Sequence, residues 1–432
     1  MTFFRTFLSS IADAGRELLD GRAGRATKPG DMAALCSDLI TQKGEALGTA
    51  LACAVVETYQ AFDQDQKRDF FTLLLTDFDV DQDALNEAIA VYQKDPSPLS
   101  AQDVAAGAES LRQRVIRGIN MAPGGTQAVI NMREDLLKIL ADAPELRAVD
   151  ADFAHLLASW FNRGFLELRN IDWNTPANIL EKLIAYEAVH EILDWDDLRR
   201  RLDRDRRCYA FFHPALPDEP LIFVEVALVN GLAGSIQNLL DDSEPHLRAE
   251  RADTAIFYSI SNCQKGLRGI SFGNFLIKQV VAELRAELPN LKTFSTLSPV
   301  PGFIQWLKDT HKDDPVLEQL IDNGWLDNAE LADELRPILM GLCAQYLVHE
   351  KRKKRPLNAV ARFHLGNGAR LERINWKGDV SEKGLFESAG ILANYKYDLS
   401  KIESNHEAYA NDGTVVYSRE IGKLLGDAPA PT

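Results

Sequence analysis

One stretch of the chain, residues 255–306, constrains the fold more than any other. Residues 255–261 are β-branched and aromatic and predict a buried strand. A turn with three glycines follows, and then apolar residues recur at helical spacing. A strand that leads through glycines into a helix presents free backbone N–H groups at the positive end of the helix dipole, where phosphate binds well. The stretch therefore predicts an α/β fold with a phosphate-binding turn.

The spacing of the glycines shows which known type of phosphate-binding turn this one resembles. The chain has no G-x-x-x-x-G-K-[ST], and no G-x-G-x-x-G with an acid about 20 residues later, so Walker and Rossmann sites do not fit. The turn instead resembles the acyl-CoA loop of the GNAT acyltransferase fold, R-G-x-G-x-G-x-x-L, with Ser271 in place of the middle glycine. On spacing alone, a glycine turn without any ligand is the alternative. The CoA-binding residues that this resemblance implies are Arg268, Gly269, Ile270, Ser271, Phe272, Gly273 and Asn274.

Four longer blocks of the C-terminal half resemble the malonyl-CoA decarboxylase family. They are CYAFFHPALPDEPLIFVEVAL from Cys208, FSTLSPVPGF from Phe294, NAVARFHLGNGA from Asn358 and ILANYKY from Ile391. The similarity covers roughly residues 153–397 and continues more weakly through the N-terminal part. Several long blocks in the family's order are much harder to obtain by chance than one glycine loop. The resemblance implies an enzyme that converts malonyl-CoA to acetyl-CoA and carbon dioxide.

The resemblance also implies three catalytic residues. Decarboxylation of a malonyl thioester leaves a thioester enolate, so the enzyme must stabilise the enolate oxygen and supply a proton to carbon. Ser298 in L-S-P-x-P-G-F and His364 in A-R-F-H-L-x-N-G-A match the family's catalytic serine and histidine, and Tyr397 in N-Y-K-Y matches a nearby tyrosine. His364 would donate the proton or stabilise the enolate, Ser298 would hold the carboxylate and assist proton transfer, and Tyr397 would support one of them by hydrogen bonding. Because the thioester is itself the electron sink, no metal or organic cofactor is required.

The same residue types also have ordinary structural interpretations. A Ser-Pro corner is usually a turn or a helix cap, and a single histidine in a strand is more often a hydrogen-bonded structural residue. His213 and Glu225 are weaker candidates for the site, and Glu225 could equally be an ion-paired buried carboxylate. No G-x-S-x-G occurs, so a serine-hydrolase triad does not fit. Some relatives carry a glutamate where this chain has Ser271, and we expect that position to tune the CoA loop.

Two other functions are open on the sequence. A GNAT-type acyltransferase would move an acyl group from CoA to an amine, and it would need an acceptor cleft and a base for the amine. A non-catalytic acyl-CoA sensor would keep the glycine loop without the chemistry. The joint presence of Ser298, His364 and Tyr397 favours the decarboxylase.

Composition limits the partners and the location. A net charge of −16 opposes binding to nucleic acid and to acidic membranes, and no apolar run is long enough to span a bilayer. We expect a cytoplasmic protein that binds malonyl-CoA and acetyl-CoA. The five cysteines are scattered and never spaced as C-x-x-C, which is typical of reduced thiols rather than a zinc cluster. Two basic clusters, 199–207 and 351–355, are interpreted as solvated helix ends or loops, although the second could approach the CoA phosphates.

The length of 432 residues predicts more than one domain, because single cores stop growing at about 250–300 residues. Residues 1–160 predict an all-helical bundle that oligomerises, as a homodimer or homotetramer. Alternating aspartates at 77–83 lack the glycine and glutamate of an EF-hand and predict a connection between two helices.

Residues 161–432 predict a GNAT-like mixed α/β catalytic domain that binds acyl-CoA. In that fold two adjacent parallel strands splay, and the acyl-CoA lies in the gap; here they would be residues 255–261 and 293–297. A helix is predicted at 175–190, and strands are predicted at 208–212, 221–229, 255–261, 293–297, 360–365 and 371–375.

Overall fold

The computed structural model of the chain describes residues 31–42, 44–241, 246–270, 276–311 and 324–426. These residues form two compact units. The first contains the described residues up to Leu166, together with His213–Pro217 and the described residues of Gln264–Phe272, and the second contains the rest. In the described ranges, every helix falls short of the length or the apolar character that a bilayer span requires.

The first unit is helical. Its described helices are α1 (Met32–Thr41), α2 (Glu45–Gln60), α3 (Gln64–Thr76), α4 (Gln82–Lys94), α5 (Pro98–Gly107), α6 (Leu111–Asn120), α7 (Gly125–Ile139) and α8 (Arg147–Trp160). Apolar side chains spaced along these helices form the core, and Val55, Phe71, Leu136 and Phe153 have no exposed surface. The predicted connection at 77–83 is confirmed, since α3 ends at Thr76 and the side chain of Asp81 caps α4 by accepting from the Ala84 N–H.

The second unit is built on a mixed sheet. Its strands are β1 (Glu167–Ile171), β2 (Arg206–Phe212), β3 (Ile222–Val229), β4 (Thr254–Asn262), β5 (Thr293–Thr296), β6 (Ser298–Pro299), β9 (Arg370–Asn375) and β10 (Leu392–Lys396), and a separate hairpin consists of β7 (Lys351–Arg352) and β8 (Arg355–Pro356). The order of strands in the sheet is β1-β2-β3-β4-β5-β10-β6, and β9 pairs with β10.

The described helices of the second unit are α9 (Ala177–Tyr186), α10 (Trp195–Arg201), α11 (Ile236–Leu240), α12 (Leu276–Glu287), α13 (Phe303–Thr310), α14 (Ala329–Val348), α15 (Ala359–Gly366), α16 (Glu382–Ser388), α17 (Ile402–Asp412) and α18 (Arg419–Leu424). A helical N-terminal region followed by a mixed α/β region confirms the predicted fold class.

The pairing of β4 with β5 is parallel, whereas the other neighbouring strands of this sheet are antiparallel. Helix α12 lies between β4 and β5 in the chain, as the sequence predicts. Residues Thr254 to Phe257 of β4 pair with Thr293 to Thr296, and β4 then continues to Asn262 beyond the end of β5. The last five residues of β4 therefore extend past β5, and four of them, Ser259 to Asn262, pair on their other side with β3.

Most of the predicted strands are confirmed to within two residues, but the strand at 360–365 is wrong. Those residues lie in α15, which begins after Asn358. The Asn358 side chain accepts a hydrogen bond of 2.7 Å from the Ala361 N–H and so caps the helix. The helix predicted at 175–190 is shorter than expected, since α9 ends at Tyr186.

Half of the first basic cluster is buried, so its interpretation as a solvated helix end is wrong for three of its six arginines. Arg200 and Arg206 both pair with Asp205, and Arg201 donates to Glu225 across 2.8 Å with both side chains 1% exposed. Burial raises the pKa of Glu225 to about 7, and the Arg201 guanidinium opposes that rise. Glu225 is thus the ion-paired carboxylate that the sequence left open.

The second basic cluster is a small exposed hairpin. Its turn residues Lys353 and Lys354 have φ of 51° and 68°, in the left-handed region, and are exposed. The expectation of a solvated loop is confirmed there. Its approach to CoA phosphates stays a prediction.

Candidate active site

Ser298 lies on β6, where the chain turns out of the sheet. It is opposite Ala393 of β10, and the side chain is 5% exposed. Two buried side chains hold the following corner through the Pro301 carbonyl, which accepts from Asn358 Nδ2 at 2.9 Å and from Tyr346 Oη at 3.1 Å. Ser298 is therefore fixed on both sides, by strand pairing before the corner and by hydrogen bonds after it.

His364 lies on α15 and points toward the same corner. Asn358 caps α15 with its side-chain oxygen while its side-chain nitrogen binds Pro301, so one amide joins the histidine helix to the serine corner. The imidazole stacks on the ring of Tyr395, with centroids 4.8 Å apart and an interplanar angle of 23°. These contacts leave the imidazole 3% exposed and hold its plane.

The structure brings Ser298, His364 and Tyr397 into one hydrogen-bonded group. Ser298 Oγ lies 3.1 Å from His364 Nε2, and His364 Nδ1 lies 2.8 Å from Tyr397 Oη. Tyr397 follows β10, and its backbone N–H donates to the Phe294 carbonyl at 2.8 Å. Three residues that are far apart in the chain thus form a buried line of hydrogen bonds, while their catalytic roles stay predictions.

Burial sets the charge of this group. It lowers the pKa of His364 to about 3, so the imidazole is neutral at pH 7. It raises the pKa of Tyr397, so the phenol keeps its proton. The line therefore consists of neutral groups that can each donate one hydrogen bond and accept another.

Thr296 is a polar member of the site that the sequence did not single out. Its Oγ1 accepts from the Ser298 hydroxyl at 2.8 Å and from the Tyr395 N–H at 3.1 Å. The available signal was its position two residues before Ser298, because alternate residues of an extended chain point to the same side. The helix cap at Asn358 was the corresponding missed signal for the histidine.

The described part of the glycine turn has one position in the left-handed region. Gly269 has a φ of 81°, which glycine adopts without strain but residues with a side chain rarely adopt, and Arg268 beside it is exposed. Ile270 is 9% exposed. The other predicted CoA-binding residues, Ser271, Phe272, Gly273 and Asn274, lie outside the described residues.

Helix α7 holds the start of this turn. A Cβ added to Gly266 would lie 2.0 Å from the carbonyl oxygen of Ile130, so only glycine fits there. Arg133 is 4% exposed, and its Nη1 donates to the carbonyls of Gly266 at 2.7 Å and Arg268 at 2.9 Å. Its Nε donates to Asp150 at 2.8 Å. One arginine therefore links the backbone of the turn to the helical core.

His213, the weaker rival for the histidine role, has local contacts of its own. Its ring lies 4.7 Å from that of Phe161, and its Nδ1 accepts from the Ala215 N–H. These contacts are typical of a structural histidine.

One cluster of the described residues has the composition of a metal site. Ligand atoms of Asp203, Asp205 and His246 lie within 4.8 Å of one another. The Asp205 carboxylate already forms ion pairs with Arg200 and Arg206, whose positive charges oppose a cation. The cluster is better explained as an ion-pair network.

Comparisons with known proteins agree on one family. Residues 164–431 match the model of the malonyl-CoA decarboxylase C-terminal domain, and residues 78–161 match that of the N-terminal domain. The mitochondrial malonyl-CoA decarboxylase of the goose Anser anser anser is 39% identical over 332 residues, which are 69% of this chain and 66% of that protein. The rat enzyme is 38% identical over 341 residues, 71% of this chain and 69% of that protein. The chain thus spans about two thirds of the length of these curated relatives.

Two crystal structures are similar over nearly the whole chain. Malonyl-CoA decarboxylase from Rhodopseudomonas palustris is 50% identical, with a TM-score of 0.88, and the match covers 92% of this chain and 100% of that one. The corresponding structure from Agrobacterium vitis is 49% identical, with a TM-score of 0.87 and the same coverage.

Proposed function

The chain belongs to the malonyl-CoA decarboxylase family of carboxy-lyases, and from this premise we propose that it converts malonyl-CoA to acetyl-CoA and carbon dioxide. The observation that carries the proposal is the buried line of hydrogen bonds from Ser298 through His364 to Tyr397. An acyl-CoA sensor has no need of such a line, because binding alone requires no proton transfer.

The reaction breaks the bond between the carboxylate carbon and the α-carbon of the malonyl group. The electron pair of that bond enters the thioester carbonyl, which becomes an enolate, and carbon dioxide leaves. The α-carbon then takes one proton, and water restores that proton to the protein. Since a thioester α-carbon is a far weaker acid than a hydroxyl or an imidazole N–H, a neutral donor is acidic enough.

The neutral state of His364 suits this chemistry. A neutral imidazole can donate its N–H to the developing enolate oxygen, and no proton has to be removed from it first. His364 is accordingly the proposed proton donor or enolate stabiliser. Ser298 would hold the carboxylate and pass a proton, and Tyr397 would fix the imidazole through Nδ1.

The CoA portion of the substrate is assigned to the glycine turn at residues 268–274. The exposed guanidinium of Arg268 and the open backbone at Gly269 favour a phosphate there. The predicted domain roles, 1–160 for oligomerisation and 161–432 for catalysis, and the homodimer or homotetramer stay proposals that analytical ultracentrifugation of the full chain tests.

The direct test is to incubate the purified chain with malonyl-CoA, without added metal or cofactor, and to follow acetyl-CoA by chromatography. We expect stoichiometric conversion, and a loss of about 10²- to 10⁴-fold in turnover for His364→Ala and for Ser298→Ala. His155→Ala is the matched control, because His155 is an exposed histidine of α8. Thermal stabilisation by acetyl-CoA should persist in all three variants.

Two results would contradict the proposal. Unchanged turnover in both site variants would remove these residues from the mechanism. No conversion by the intact chain, with tight binding of acetyl-CoA, would favour the acyltransferase or the sensor and lead to a search for an amine acceptor.

A further inference from the structure

Thr296 has an unusual place in the site, because it is the far end of the hydrogen-bond line. Its side chain is fully buried, and its carbonyl accepts from Asn394 Nδ2 at 2.6 Å. We propose that Thr296 is a positioning residue that sets the direction of every hydrogen bond in the line and thereby the tautomer of His364. The inference deepens the proposed decarboxylation and rests on it for its kinetic consequence.

The direction follows from the bond between Ser298 and Thr296, in which the Ser298 hydroxyl is the donor. A hydroxyl oxygen has two lone pairs and one proton. The Tyr395 N–H can only donate, so it occupies one lone pair of Thr296 Oγ1, and the Ser298 hydroxyl donates to the other. Ser298 has then used its only proton, and toward His364 it can only accept.

The tautomer of His364 follows from this count. The nitrogen that faces Ser298 is Nε2, at 3.1 Å, and it must carry the hydrogen. In a neutral imidazole Nδ1 then has the lone pair, so it accepts from the Tyr397 hydroxyl at 2.8 Å. The donors run in one order, from Tyr397 to His364, from His364 to Ser298 and from Ser298 to Thr296.

This order separates two possible roles of the serine. An Nε2–H imidazole has no lone pair to remove the Ser298 proton, so the resting group is not set up to make a serine nucleophile. It instead holds its N–H on Nε2, where Ser298 accepts it at rest and where an enolate oxygen or a carbanion could accept it in place of the serine oxygen. Without the Thr296 acceptor, the Ser298 hydroxyl is free to turn and donate to Nε2, and His364 would change to the Nδ1–H tautomer.

The test combines a spectroscopic and a kinetic measurement on the full chain. Thr296→Val removes the hydroxyl at nearly constant volume, and Thr296→Ser restores it. Nitrogen-15 NMR of histidine-labelled protein assigns the tautomer of His364, whose signals are identified by their loss in His364→Asn. Steady-state kinetics with malonyl-CoA give kcat and KM for each variant.

We expect the Nε2–H tautomer in the unaltered chain and in Thr296→Ser, and the Nδ1–H tautomer in Thr296→Val. The valine variant should lose roughly 10- to 100-fold in kcat with KM within about twofold, and the serine variant should recover kcat. A general packing defect would lower stability without changing the tautomer.

Three results would overturn the inference: an Nδ1–H tautomer in the unaltered chain, an unchanged tautomer in Thr296→Val, or a serine variant that behaves like the valine variant. If Thr296→Val does not fold, the tautomer of His364 in the unaltered chain still tests the inference. Failure of the decarboxylation itself is a separate outcome, because it shows as absent turnover while the tautomer is measured without substrate.

Discussion

Arg133 offers a way to test whether the helical region orders the glycine turn that we propose to bind CoA. Its guanidinium donates to two carbonyls of the turn through Nη1 and to Asp150 through Nε. The compact ammonium of a lysine has three donors but lacks this planar fork, so it cannot reach all three partners in the same geometry. Arg133→Lys keeps the charge and removes the fork. We expect a turn that is less ordered and a substrate that binds more weakly.

The magnitude can be worked from the contacts. A hydrogen bond to a charged group contributes about 1.5–3 kcal/mol, and Arg133→Lys forfeits one or two of them. The Asp150 side chain is 22% exposed, so water replaces part of the hydrogen bonding that Asp150 loses. We therefore expect the free energy of unfolding to fall by about 2 kcal/mol. If CoA must supply about 1.4 kcal/mol to reorder the turn, KM for malonyl-CoA rises about tenfold. The value of kcat should change less than about twofold, since Ser298 and His364 belong to the other compact unit.

The matched control is Arg112→Lys. Arg112 is also a buried arginine of the first unit, 6% exposed, and it pairs with Asp79 and Asp152 rather than with the turn. Both variants should lower the melting temperature, measured by scanning fluorimetry, by similar amounts. Only Arg133→Lys should raise KM and weaken acetyl-CoA binding in calorimetry. Equal KM for the two variants would refute the link between Arg133 and the turn.

Three further predictions concern single contacts. Gly266→Ala should lower the unfolding free energy by about 3 kcal/mol in urea titration because its Cβ would meet a backbone carbonyl, whereas Gly269→Ala, with open space around its Cβ, should cost about 1–2 kcal/mol from its positive φ alone. Asn358→Ser keeps a helix cap but not the bond to Pro301, so kcat should fall severalfold while stability changes by less than about 1 kcal/mol; an unchanged kcat would show that the bond does not position the site. His364, with a folded pKa of about 3 against 6.5 unfolded, stabilises the fold fully above pH 6.5, and this stability is lost by about 1.4 kcal/mol per unit as pH falls from 6.5 toward 3. Urea titrations from pH 4 to 7 should show a steeper loss for the unaltered chain than for His364→Asn, and parallel curves would contradict the low pKa.

The strands were predictable because their apolar runs are long and bounded by turn residues. The segment around His364 was not, because Arg362–Phe363–His364–Leu365 alternates polar and apolar residues over only four positions, which a helix can also do. In α15 Phe363 is 39% exposed while His364 and Leu365 are buried. The asparagine cap ahead of the segment was the better guide.

The ion pairs of the first basic cluster lay beyond sequence reasoning for a different reason. Arg201 and Glu225 are neighbours only after α10 and β3 have formed, and a run of six arginines within nine residues gives no sign of a distant carboxylate. Which arginines are solvated depends on how distant elements of the fold pack together, not on the local density of charge. The Ser298–His364–Tyr397 group was predicted from the blocks that resemble the family. The role of Thr296 could not be predicted in the same way, because it depends on the directions of two hydrogen bonds that only the folded structure defines.

The first compact unit is discontinuous, and this has a consequence for how the protein can be divided. Segments His213–Pro217 and 264–270 belong to that unit although they follow the start of the sheet in the chain. No single cut separates the two units, so a fragment that begins near residue 161 would carry Gly266 and Arg268 without the guanidinium that binds their carbonyls. The C-terminal half is consequently a poor unit to move into another protein, because a gene fusion or a truncation near residue 161 would separate the glycine turn from Arg133.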